Sequence, residues 1–153
     1  MSLWILDTDY VSLFRRGNPT VIARVLQSNP DDIAITIVTA EEICQGWLSE
    51  INKRFQPTQS PKLLLAYAEF QKAIEFFRTV QIMSFDGNSY NRFESLRQQL
   101  RRLDTRDLRI AAIAMNTRAI LVTRNRQDFA QIPNLTIEDW SVSFTDNNPI
   151  SDF

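Results

Sequence analysis

Short apolar runs alternate with amphipathic stretches along nearly the whole chain. Leu3-Trp4-Ile5-Leu6 is apolar without a break, the pattern of a strand buried on both faces. Asp7-Thr8-Asp9 then supplies polar residues that stop the strand and favour a helix start. Tyr10 to Arg16 predicts a short helix, with Val11, Leu13 and Phe14 inward and Arg15 and Arg16 outward. Gly17-Asn18-Pro19 ends it, and Pro19 opens a second helix from Thr20 to Gln27. Beyond a turn at Asn29-Pro30-Asp31, the β-branched run Ile33 to Val38 predicts a second buried strand. Thr39 then starts a helix to Asn52, with Glu42 three residues on as in a capping box.

The stretch from Arg54 to Pro61 carries two prolines and predicts a linker. It joins two helices, so 41–52 and 62–78 form a helical hairpin. The second helix holds Leu64, Leu65, Tyr67, Phe70, Phe76 and Phe77. These rings either cover the sheet or leave a surface for a partner. Val80 to Met83 predicts a third strand, and Asp86 to Leu100 an amphipathic helix with Tyr90, Phe93 and Leu96 on one face. Asp104-Thr105-Arg106-Asp107 opens a helix whose body, Leu108 to Met115, is apolar nearly all round and therefore deeply buried. Ala119 to Val122 is a fourth strand, a short helix follows at 127–131, and Leu135 to Ile137 is a last strand. Strands alternating with helices predict an α/β fold with a mainly parallel sheet of about five strands, flanked by helices. Residues 1–140 read as one domain, and 141–153 as a flexible C-terminal tail.

Composition narrows the chemistry. The chain has no histidine and one cysteine, Cys44. No Ser-His-Asp triad, Cys-His dyad or histidine-based ribonuclease mechanism is possible. A zinc site is disfavoured, because zinc prefers nitrogen and sulfur ligands. A metal would be held by oxygen, which favours magnesium, manganese or calcium. The single cysteine, the absence of a signal-peptide pattern and the absence of a membrane-length apolar run predict a cytoplasmic protein. Net charge is −1, so the chain is not uniformly basic. Its arginines nevertheless crowd into one region: Arg92, Arg97, Arg101, Arg102, Arg106, Arg109, Arg118, Arg124 and Arg126. Singly these suit a solvated helix face; as a group beside candidate metal ligands they suit a phosphodiester partner.

Four acidic or amide positions share one kind of place, just after a strand or in the first turn of a helix. They are Asp7, Glu42, Asp107, and Asn125 or Asp128. Each has a structural explanation as a cap or as an acid at the positive end of a helix. Together they describe an anionic pocket at the carboxyl edge of a parallel sheet, where open α/β folds bind ligands.

Ile5-Leu6-Asp7-Thr8-Asp9 resembles the opening strand of PIN-domain nucleases. Ile35 to Gly46, with Glu42 four residues before the glycine, resembles their second motif. Asp107-Leu108-Arg109-Ile110-Ala111-Ala112-Ile113-Ala114 resembles the third. Leu121-Val122-Thr123-Arg124-Asn125, Asp128-Phe129 and Ile137-Glu138-Asp139-Trp140 resemble the closing part. The resemblance spans nearly the whole chain and is of the kind found in VapC-type toxins of prokaryotic toxin–antitoxin pairs. Three positions depart from the family's usual residues: Asp9 stands in place of Asn, Asp104 in place of Gly, and Asn125 in place of Asp.

The resemblance implies a Mg²⁺- or Mn²⁺-dependent ribonuclease, with a homodimeric state and a cognate antitoxin that blocks the site. It implies Asp7, Glu42 and Asp107 as metal ligands, with Asn125 completing the catalytic set. Thr8, Thr123 and Asp128 are candidates for orienting ligands or water. Arg106, Arg109 and Arg124 are candidates for the RNA backbone. Clustered carboxylates agree with this, since their repulsion is relieved by a cation.

Two other readings compete. Asp7-Thr8-Asp9-Tyr10-Val11 also fits the nucleophile motif of haloacid-dehalogenase-type phosphatases. Those enzymes need a lysine near the site, and the only lysines here, Lys53, Lys62 and Lys72, fall in the hairpin. A PIN-like module with a weakened site would serve only as a binding partner, a reading that Asp104 and Asn125 permit.

Overall fold

The computed structural model describes residues 2–54 and 60–141. The central strand β1 (Trp4–Leu6) leads into α1 (Thr8–Arg15) and α2 (Pro19–Gln27). A 3₁₀ turn, Pro30–Asp32, precedes β2 (Ile33–Thr36), which runs into α3 (Ile37–Lys53). Then come α4 (Ser60–Phe77), β3 (Gln81–Met83), α5 (Gly87–Gln99), α6 (Thr105–Asn116), β4 (Ile120–Val122), α7 (Arg126–Phe129) and β5 (Thr136–Glu138).

The five strands form one sheet in the order β3-β2-β1-β4-β5, and every neighbouring pair is parallel. The chain winds outward from β1 to β3 on one side, then returns to β4 and β5 on the other. The switch of direction falls between β1 and β4, where a crevice opens at the carboxyl ends.

Side chains alternate across the strands, so the sheet is buried on both faces. Ile5, Ala34 and Leu121 face a core built with Phe93 and Leu96 of α5 and Leu108 to Ala114 of α6. Leu6, Ile33, Ile35 and Val122 face a second core with Tyr10, Val11 and Val21, against which Phe14, Phe76 and Phe77 pack. The alanines of α6 are fully buried, and α5 packs against α6. Small side chains let these helices lie close together.

Several boundaries differ from the sequence reading. β2 ends at Thr36, and Ile37 and Val38 form the first turn of α3. The cap is Thr36, whose hydroxyl accepts from the Thr39 N–H at 3.1 Å. The expected Thr39–Glu42 capping box is therefore absent, and Glu42 is released for other contacts. Here β-branched propensity is overridden by the cap. The α3–α4 hairpin is present; most of its linker, residues 55–59, lies outside the described residues. Phe76 and Phe77 cover the sheet, whereas Leu64, Leu65, Tyr67 and Ile74 are exposed. Tyr90 is half exposed, not inward as its spacing suggested, although its ring still meets Phe85 and Phe93. Of the expected tail, only Ser141 is described.

Candidate active site

Asp7 follows β1 directly, and its backbone N–H pairs with the Val122 carbonyl at 3.1 Å, extending the sheet by one rung. Its carboxylate caps α1, accepting from the Tyr10 N–H at 3.0 Å. It is only 7% exposed. Capping and a place in the anionic site are thus both realised by one side chain. Thr123, fully buried after β4, hydrogen-bonds the same carboxylate. The Thr123 hydroxyl also accepts from the Asn125 N–H at 3.0 Å, and its own N–H donates to the Glu138 carbonyl at 2.9 Å. One threonine therefore ties together the ends of β1, β4 and β5.

Glu42 comes from the second turn of α3. The Thr8 hydroxyl lies 3.3 Å from its Oε1 and 3.1 Å from Thr39 Oγ1. Asp107 stands in the first turn of α6, where Asp104 caps the helix by accepting from the N–H groups of Arg106 and Asp107. Asp104 thus serves the cap without needing the freedom of a glycine. Asn125 caps α7 by accepting from the Asp128 N–H at 3.4 Å, and its Nδ2 donates to the Asp128 carboxylate at 3.0 Å.

Asp7, Thr8, Asp9, Glu42, Asp107 and Asn125, with Ile110 and Phe129, line one cavity of about 200 Å³ at the carboxyl edge. Residues 100 positions apart in sequence are brought together here by the sheet order. Burial, followed by the neighbouring charges, governs the electrostatics. Burial pushes Asp7 up to about 6, against hydrogen bonds from Thr123 and Tyr10, with Asp9 and Glu42 adding repulsion. Burial also pushes Asp107 up to about 6, with Asp104, Glu42, Asp128 and Asp7 repelling its charge. Glu42 is raised by burial too, while the Thr8 hydrogen bond and the Arg106 charge work the other way.

No described lysine or arginine forms an ion pair with Asp7, Glu42 or Asp107. As they stand, no three described acidic or cysteine side chains are arranged to hold a metal ion jointly. The expected ligands are gathered around one cavity without closing on a point. Glu42 turns toward Thr8. The donor set, all oxygen and carrying buried, mutually repelling carboxylates, fits a hard divalent cation.

The other expected residues divide. Thr8 and Asn125 line the cavity, and Thr123 lies behind it, bonded to Asp7. Asp128 holds Asn125 and acts on Asp107 through its charge, but does not line the cavity. Arg106 reaches the Gln45 side chain and acts on Glu42 through its charge. Arg124 is ion-paired with Asp9. Arg109 lies over the Phe93 ring at 5.2 Å and is not a wall of the cavity. Neither the Thr8–Thr39 hydrogen bond nor the Tyr10–Asp139 contact is visible in the sequence pattern. Tyr10 is fully buried, its hydroxyl bonds the Asp139 carboxylate, and the Ser141 N–H donates to both. Burial first, then Asp139, pushes Tyr10 up to about 12. Burial opposes the charge of Asp139, but hydrogen bonds from Ser141 and Tyr10 outweigh it and keep its carboxyl below the usual range. The acid closing the last strand was visible; its partner 129 residues away was not.

A parallel sheet covered on both faces, with an acidic cavity at the switch between β1 and β4, defines an α/β domain with its ligand crevice at the carboxyl edge. The PIN domain family model matches residues 5–135, and the chain belongs to that family. Ribonuclease VapC1 of Haemophilus influenzae strain R2866 is 28% identical over 141 residues, covering 91% of this chain and 98% of that protein. The protein of the same name from strain ATCC 51907 / DSM 11121 / KW20 / Rd is 27% identical over the same length. Among solved structures, VapBC-1 from nontypeable Haemophilus influenzae superposes with a TM-score of 0.70 at 21% identity, covering 92% of this chain and 99% of that one. VapBC2 from Rickettsia felis, bound to a DNA fragment from their promoter, gives 0.67 at 23% identity, over 90% of this chain and 98% of that one. At these identities the structural likeness establishes the fold. The phosphatase alternative falls with the family assignment.

Proposed function

We propose that the chain is a divalent-metal-dependent endoribonuclease and the toxin of a toxin–antitoxin pair. One observation carries the reading. Asp7, Glu42 and Asp107, delivered by three separate elements, line a single cavity and have no ion-pair partner among the described lysines and arginines. The names of the H. influenzae relatives supply the activity class.

In this reading Asp7, Glu42 and Asp107 hold Mg²⁺ or Mn²⁺. The ion, when bound, supplies Lewis acidity toward the phosphodiester and acidifies a water beside it. Thr123 keeps the Asp7 carboxylate oriented, and Thr8 does the same for Glu42. Asn125, held by Asp128, offers an amide at the cavity wall where a water or a phosphate oxygen is positioned. Arg106, whose charge acts on Glu42, and Arg124, at the cavity-lining Asp9, are the candidates for contact with an RNA backbone. Hydrolysis by water yields a 5′-phosphate and a 3′-hydroxyl. Incubation with total RNA in Mn²⁺, Mg²⁺ or chelator, with mapping of the new ends, tests the proposal. Metal-dependent cuts that vanish in Asp7→Asn support it; RNA left intact by the wild type in both ions refutes it.

A second cleft, of about 670 Å³, shares Thr8 and Glu42 with the acidic cavity and extends along Val11, Arg15, Trp47 and Lys72. An antitoxin segment lying there reaches the catalytic acids. The exposed Leu48, Leu64, Leu65, Tyr67 and Ile74 on the hairpin add apolar surface for that partner or for a second copy of the chain. Among the described residues no helix is long and apolar enough to cross a membrane. A cytoplasmic location and residues 1–140 as one functional domain complete the reading.

A further inference from the structure

Asp9 is a fourth carboxylate on the wall of the acidic cavity, and it differs from the other three. The Arg124 guanidinium donates to its Oδ2 from both Nε, at 2.8 Å, and Nη2, at 2.7 Å. The two residues are 115 positions apart. They join the first turn of α1 to the loop after β4, across the same switch point that Asp7 and Thr123 span. Both side chains are about half exposed, and a pair in that setting adds little to stability. Its position matters more. Arg124 is bonded to an acid that itself lines the cavity, so a guanidinium released from Asp9 starts at the rim of a buried, repelling carboxylate cluster. An arginine drawn into that cluster would occupy the place of a divalent ion.

We infer that Asp9 and Arg124 form a neutral clamp at the cavity mouth, in which Asp9 is a positioning residue that holds Arg124 off the acids and is not itself a metal ligand. The inference rests on the metal-site reading of Asp7, Glu42 and Asp107. It assigns distinct roles to two aspartates only two residues apart. Asp7 points into the crevice with its carboxylate shielded by Thr123 and the Tyr10 N–H. Asp9, on the outer side of the helix start, spends its charge on arginine.

A double-variant cycle on the full chain separates the roles, with Mn²⁺ affinity measured by titration calorimetry near neutral pH. Asp9→Asn leaves Arg124 uncompensated and lowers affinity roughly fivefold, the scale of one unit charge acting on a divalent ion across a solvated rim. Arg124→Gln changes affinity by less than about twofold, because the arginine is already held away from the acids. The double variant Asp9→Asn/Arg124→Gln restores the local charge and returns to within about twofold of the wild type. A ligand role for Asp9 gives a different pattern: Asp9→Asn and the double variant both lose binding, and that result overturns the clamp. A wild type that takes up no Mn²⁺ removes the metal site and the clamp with it. A wild type that binds while the double variant fails to recover removes the clamp alone. Thermal melts in chelator check that all four chains fold, as the exposure of the pair leads one to expect.

Discussion

Replacing Asp7 by Asn is expected to abolish cleavage and, in the absence of metal, to make the protein more stable. Asp7 is buried and its pKa is raised from 3.8 to about 6. Its proton is therefore bound more tightly in the folded chain than in the unfolded one. Stability from this group is fully present below the unfolded value and is lost as pH rises through about 6. At pH 8 the shift corresponds to about 3 kcal/mol of destabilisation, at 1.36 kcal/mol for each pKa step. At pH 5, where the folded group is mostly protonated, the same linkage gives about half of that. Asparagine keeps an acceptor for the Tyr10 N–H and removes the charge. In chelator, urea unfolding should thus favour Asp7→Asn at pH 8, with an advantage that shrinks at pH 5. By melting temperature the full gain is worth roughly 6–12 °C for a domain of this size. Added Mn²⁺ should stabilise the wild type and leave the variant unmoved. A variant less stable than the wild type at pH 8 in chelator would show that Asp7 is a satisfied structural cap, and the strained-carboxylate argument would be wrong.

Three further outcomes follow from the same geometry. Mn²⁺ affinity should rise steeply between pH 5 and pH 7.5, because Asp7 and Asp107, both near 6, must lose their protons to bind it; calorimetry that finds a flat profile contradicts their role. Thr123→Val removes both the hydrogen bond to Asp7 and the acceptor of the Asn125 N–H. It should destabilise the fold by about 1–3 kcal/mol in urea titration and weaken Mn²⁺ binding. Leu65→Glu, on an exposed hairpin position, should change stability by less than about 0.5 kcal/mol. Size-exclusion chromatography with light scattering should then show whether it disrupts self-association or antitoxin binding, as an interface position would.

The strands, the helices and the acids were readable in the chain because their signals are local. Uninterrupted apolar runs mark strands covered on both faces, and the alanine-rich stretch after Asp107 marks a helix against which others pack closely. Asp7 and Asp107 stand at element boundaries and Glu42 within two turns of one, and boundaries in a parallel sheet collect at one edge. Local signals misled where two were in competition: Ile37 and Val38 look like strand, but the Thr36 hydroxyl caps a helix that begins there. Propensity favours one state by a few tenths of a kcal/mol, and a buried cap is worth more.

What no linear pattern contained was the pairing of distant side chains. Arg124 with Asp9, Tyr10 with Asp139, and Thr8 with Glu42 span 115, 129 and 34 residues. Each depends on the strand order and register that set β2 and β4 beside β1 and β5 beside β4. Residue type along the chain settles which groups carry charge and which elements bear them. The folded sheet settles the distances between them, and electrostatic interaction depends on distance. That is why the identity of the acids was legible beforehand, and why the partner of each was not.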